Sequence, residues 1–271
     1  MDRYTVFAIL ALGVVYIAAS LWMNRWPSSR QAGSYCFGLL SIFFALTGPL
    51  DQLTNERLFT AYILQQMILV LVAAPFLLLG LPDWMLRPVF TNRWLAPFWR
   101  RVTRPLVTFL IFSAVFALIH YPAVCDRICH VQQFYGGIRA LLVVTGLLLW
   151  WPLFSPLAEF PPLSYPLQVM YLFLLTIPMI AVAAPITLAD SVLYMFYRGG
   201  MHPWGLTPLD DQVMGGLLMW VGQAFYVMTV FTTVFIRWSK SDDDHQPILA
   251  NKPTVAATQI QALRPHDRPT F

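Results

Sequence analysis

Charged residues are scarce in this 271-residue sequence: only 11% are Asp, Glu, Lys or Arg, against roughly 25% in an ordinary soluble domain. That shortage excludes a cytosolic globule. The sequence also has no phosphate-binding glycine loop, no nucleophile elbow and no zinc-protease helix motif, so nothing in it argues for an enzyme. No internal repeat recurs at a convincing period, which leaves an inverted-repeat transporter without support. Positive charge is nearly missing before the first apolar stretch, where only Arg3 stands, beside Asp2. A signal peptide needs that charge, so the stretch reads as a span, even though Ala18-Ala19-Ser20 resembles a cleavage site.

What fills the sequence instead is apolar: 58% of residues are hydrophobic, and the mean hydropathy is +0.62. A helix needs about 20 mostly apolar residues to cross the bilayer core. Seven such stretches occur, at about 6–23, 34–50, 59–81, 106–120, 137–154, 167–189 and 213–236. The expected fold is therefore an all-α integral membrane protein, a bundle of about seven transmembrane helices over residues 1–238. Residues 239–271 begin with Asp242, Asp243 and Asp244 and continue without apolar periodicity, as expected of a polar tail that is disordered or acts as a docking strap.

Basic residues near the spans stay on the cytoplasmic side. Arg25, Arg30, Arg87, Arg93, Arg100, Arg101, Arg104, Arg237 and Lys240 fall on one face, and Arg3, Arg57, Arg127 and Arg198 on the other. The first face is expected inside, with the N-terminus periplasmic and the C-terminus cytoplasmic. The pI of about 9.1 then reflects topology and not a nucleic-acid partner. Residues 82–105 mix Trp84, Trp94 and Trp99 with five arginines, a composition suited to lying among membrane lipid headgroups.

Polar groups inside the apolar stretches carry the chemical information, because each is costly in lipid unless it meets a partner or water. Tyr62, Gln65 and Gln66 in the third stretch, Arg139 at the start of the fifth, and Asp51 and Asp211 at helix ends fall near one depth on the outer side. Helix-to-helix hydrogen bonding and a functional pocket both account for such a layer. Beyond it, His120, Cys125, Cys129 and His130 gather in one outer segment, and thiolate and imidazole suit copper or zinc. Their spacing fits no standard zinc pattern. Met67, Met214 and Met219 can also bind cuprous copper, although methionine is more often apolar filler. His202, His245 and His266 read as solvated surface residues.

Several ordered blocks together carry a resemblance. They are Gly48-Pro49-Leu50-Asp51, 59–67, Ala74-Pro75 through Pro82, His120-Tyr121-Pro122, Gly146 through Pro152, 171–179, and Asp211-Gln212 with Gly215-Gly216 and Met219-Trp220. In this order they resemble the CtaG family of caa3-type cytochrome c oxidase assembly factors. The resemblance implies a seven-span protein of the bacterial inner membrane that helps build a haem–copper oxidase, through copper delivery or subunit maturation. It also implies histidines in the third span and near the start of the fifth, where this sequence has Tyr62, Gln66, Tyr135 and Arg139 around a retained Gln65. A permanent guanidinium cation repels a metal ion that a neutral imidazole would bind, so no metal or other cofactor is expected there. The leading expectation is a non-catalytic scaffold, either assembly factor or resident accessory subunit, in contact with oxidase subunits. The alternatives are a copper chaperone using His120, Cys125, Cys129 and His130, and a small-solute or metal transporter. Arg139 is expected to pair with Asp211 or Asp51, or with backbone carbonyls.

Overall fold

The computed structural model describes residues 3–130, 132–200 and 205–250, with side chains for 5–130, 136–200 and 205–241. Fourteen α-helices carry the described chain, and no strand occurs among the described residues. Six helical segments are long and apolar enough to cross a membrane: Thr5–Trp22, Ser29–Asn55, Phe59–Gly80, Gly136–Phe154, Tyr165–Thr187 and Pro208–Ser241. A seventh is formed if α7 (Ala96–Val102) and α8 (Pro105–His120), bent by 70°, make one span. α8 alone has 16 residues, a rise of about 24 Å at 1.5 Å per residue, short of the ~30 Å apolar thickness. The chain is thus a multi-pass membrane protein of six or seven spans.

α1 (Arg3–Trp22) is the outlying helix, and most of its surface is exposed. It is fastened to the bundle by Tyr16, which stacks on Tyr35 with ring centroids 4.0 Å apart and donates its hydroxyl to the Gly80 carbonyl at 2.9 Å. α2 (Ser29–Thr47) starts with a capping box between Ser28 and Gln31, which satisfies two backbone donors at the helix start. It crosses α5 (Ala74–Gly80) closely: a Cβ at Gly80 would lie 2.5 Å from the Tyr35 backbone nitrogen. Glycine here permits the backbone approach by which membrane helices gain packing energy.

The third span is α4 (Phe59–Met67), a π-helical stretch at Ile68–Ala73, and α5. The Ala74 N–H reaches back five residues to the Leu69 carbonyl, and Pro75 has no N–H to offer, so the Val70 carbonyl is left without a ladder donor. One freed group is used from outside, as Trp150 Nε1 donates to the Val70 carbonyl at 2.7 Å. The last span has a matching π-helical stretch, Leu218–Gly222, between α13 (Pro208–Leu217) and α14 (Gln223–Ala250). π-bulges of this kind often mark functional positions. α14 runs on to Ala250, past the boundary drawn at residue 239, and residues 251–271 lie outside the described residues.

α3 (Pro49–Asn55), α6 (Asp83–Phe90), α9 (Pro122–His130) and α12 (Met195–Arg198) are the short helices that link or flank the spans. α10 (Gln132–Phe154) and α11 (Tyr165–Thr187) complete the bundle. The main core joins Phe59, Phe112, Leu149, Trp150 and Leu172 from different spans.

Candidate functional site

The polar residues of the spans make distinct contacts. They divide into three groups, each built on α4. In the first, Gly48 and Pro49 end α2 and start α3, which puts Asp51 in the first turn of α3, where the helix dipole favours an anion. Arg139 Nη2 from α10 reaches Asp51 Oδ1 at 3.0 Å and Gln65 Oε1 at 3.2 Å. Gln65 Nε2 in turn donates to the Ala45 carbonyl at 2.8 Å, and Asn55 donates to Asp51 Oδ2 at 3.2 Å. The Arg139 and Asp51 side chains are only 12% and 8% exposed. A buried pair of this kind is better tolerated when further hydrogen bonds support it, as Gln65 does for Arg139 and Asn55 for Asp51. Of the two acids expected as partners, Asp51 takes the arginine.

Asp211 forms the second group and has a different task. It is fully buried in α13, and its carboxylate accepts from the backbone N–H groups of Phe59 at 2.6 Å and Thr60 at 3.0 Å. The Leu58 side chain cannot cap α4, so a carboxylate from the last span satisfies donors that the helix itself leaves open. Next to it, Gln212 accepts from the Leu193 N–H at 2.7 Å and holds the turn after α11.

The third group is a chamber of about 20 Å³ between the two π-helical stretches, lined by Gln66, Met67, His120, Met179, Met219 and Gln223 among others. His120 Nδ1 lies 2.8 Å from the Phe116 carbonyl. Its Nε2, both amide atoms of Gln66 and Oε1 of Gln223 are buried without a protein partner among the described residues. A space of that size holds about one water, and the three side chains offer both donors and acceptors to it.

Cys125 and Cys129 lie apart from this chamber, one turn from each other on α9, both buried, with sulfurs 3.8 Å apart. Cys129 Sγ is 3.4 Å from the Tyr197 hydroxyl. Their mutual hydrogen bond and burial push the Cys125 thiol well above its ordinary range, which keeps it protonated and unreactive. His130 is exposed on the same helix, its Nδ1 2.6 Å from the Asp126 carbonyl. Among the described residues no three His, Cys, Asp or Glu side chains are grouped to hold a metal. The proposed quartet His120, Cys125, Cys129 and His130 is therefore not brought together. The i, i+4 spacing aims both thiols at the aromatic cluster of Tyr62 and Tyr197, while His120 faces Gln66.

Some participants were missed at the sequence level. Gln223 is a polar residue within an apolar span, a signal that was available. Asp126, which accepts from the N–H groups of Met195 and Phe196, gave no such signal, because its partners are 69 and 70 residues away. The side chains of Tyr135 and His245, and all of His202 and His266, lie outside those described.

The fold and this polar interior define a polytopic helical membrane protein in which the buried carboxylates Asp51 and Asp211 are held by an arginine and by backbone N–H groups respectively. The chain belongs to the cytochrome c oxidase caa3 assembly factor family (Caa3_CtaG), whose profile matches residues 9–241. Over 255 residues it is 24% identical to uncharacterized proteins of Mycobacterium bovis and Mycobacterium tuberculosis, covering 86% of this chain. The chain spans only 38% of the length of those relatives. No solved structure matches it.

Proposed function

We propose that this chain is a non-catalytic scaffold for a haem–copper oxidase in the bacterial inner membrane, acting through protein contact as an assembly factor or resident accessory subunit. Membership of an assembly-factor family supports the oxidase connection. The observation that carries the scaffold reading is the Arg139–Asp51–Gln65 network. By the resemblance drawn above, Arg139 stands where relatives have histidine, and a permanent cation locked to a carboxylate is the opposite of a metal ligand. The network joins α3, α4 and α10, so it maintains the bundle's shape. The copper-chaperone reading draws no support from Cys125, Cys129 and His130, which do not meet His120. In this proposal the arginine-rich face is cytoplasmic and the N-terminus periplasmic. The test is extraction from native membranes in mild detergent with affinity capture of this chain: oxidase subunits should co-purify, and their absence would count against the proposal.

A further inference from the structure

We propose that the cleft between the α1–α2 turn and α6 binds the headgroup of an anionic glycerophospholipid. The cleft is an open pocket of about 540 Å³ lined by Trp22, Met23, Arg25, Trp84, Arg87 and Thr91. Trp22 is the last residue of α1 and Ser29 the first of α2, so the pocket lies where two apolar spans end, the depth of lipid phosphates. The turn that presents Arg25 is well defined. Asn24 takes a left-handed backbone conformation, φ 49°, which asparagine tolerates better than most residues. The Arg25 N–H donates to the Ser20 carbonyl at 3.1 Å, closing α1.

The two arginines of the pocket are not equivalent. Arg87 is engaged by Glu159 at 3.0 Å and Asp83 at 3.6 Å, so its charge is largely offset. Arg25 has no carboxylate partner among the described residues. Further arginines follow in the flanking sequence, Arg30 after the turn and Arg93, Arg100, Arg101 and Arg104 after α6, and a basic juxtamembrane segment attracts anionic lipid. The remaining walls decide between a lipid and a soluble phosphate. Trp22 is 85% exposed, and with Met23, Trp84 and Pro88 it offers apolar and indole surface, which suits a glycerol backbone and the first acyl carbons. Free phosphate has no use for such walls. The assignment is therefore a lipid phosphodiester on Arg25, with its glycerol region between Trp22 and Trp84.

The test uses the full chain, purified and delipidated in detergent, with lipid binding read by native mass spectrometry. Phosphatidylglycerol should bind in preference to phosphatidylcholine of the same acyl chains, and soluble glycerol phosphate should not compete. Arg25→Gln should weaken phosphatidylglycerol binding about fivefold, the effect of one basic side chain near an anionic surface. Arg93→Gln, which does not line the pocket, should weaken it clearly less than Arg25→Gln does. Arg25→Lys preserves the charge and should stay near wild type. Equal losses in the Arg25→Gln and Arg93→Gln variants, equal binding of phosphatidylcholine, or competition by glycerol phosphate would each overturn the assignment.

Discussion

Arg139 Nη2 lies 3.0 Å from Asp51 Oδ1, across 88 residues of sequence, and this contact ties α10 to the short helix that follows α2. Removing one partner of a buried pair strands the other charge, at a cost of roughly 3–5 kcal/mol. Arg139→Ala should therefore lower the unfolding temperature in detergent sharply. The double variant Asp51→Leu/Arg139→Met should recover most of the loss, because neither charge is then left alone. Arg139→His should not produce stoichiometric copper binding, since Tyr62 and Gln66 stay in place. Thermal melts of the single and double variants, with elemental analysis of the histidine variant, check all three expectations.

The cap on α4 comes from another span, so its loss should be felt locally. Asp211→Ala removes acceptors from two backbone donors and should cost about 1–3 kcal/mol. Amide hydrogen exchange at Phe59 and Thr60 should accelerate, while the Arg139 network stays protected. Unchanged exchange at those two amides would show that the cap does not hold the helix start.

The dithiol on α9 should be inert in the folded protein. A thiol whose pKa is raised on folding contributes stability below its unfolded value, and that contribution is lost as pH rises. With ordinary thiols near 8.5, the wild type should lose stability between roughly pH 8 and 10 more steeply than the Cys125→Ser/Cys129→Ser double variant. The same double variant should leave oxidase assembly nearly intact if these residues are not metal ligands. Alkylation in native detergent should spare the buried Cys125 and Cys129, and unfolding in denaturant should make both reactive.

The helical bundle was legible because hydropathy reports directly on solvent: a stretch of apolar residues has few places to go but lipid. The fourth stretch, 106–120, coincides with α8, but the 70° bend by which α7 joins it is something composition cannot reveal. That Arg139 needs a partner follows from the cost of burying a cation. Which acid serves depends on Gly48 and Pro49 turning the chain to face α10. The split of Gln65 from Gln66 is a matter of helical geometry: adjacent residues point about 100° apart, so one meets Arg139 and the other the His120 chamber.

The orientation proposed from the arginine asymmetry is open to a simple check. A reporter active only in the periplasm should be silent when fused after Lys240 and active when fused ahead of α1. The reverse pattern would invert the assignment.

The most direct test of the central claim, a metal-free contact partner of a haem–copper oxidase, is to purify the native membrane complex through this chain and quantify its subunits and the copper bound to the chain itself. The account predicts oxidase subunits at a fixed ratio to this chain, and copper on the separated chain far below stoichiometric. Recovery without any oxidase subunit, or stoichiometric copper on the isolated chain that disappears in a His120→Ala variant, would contradict it.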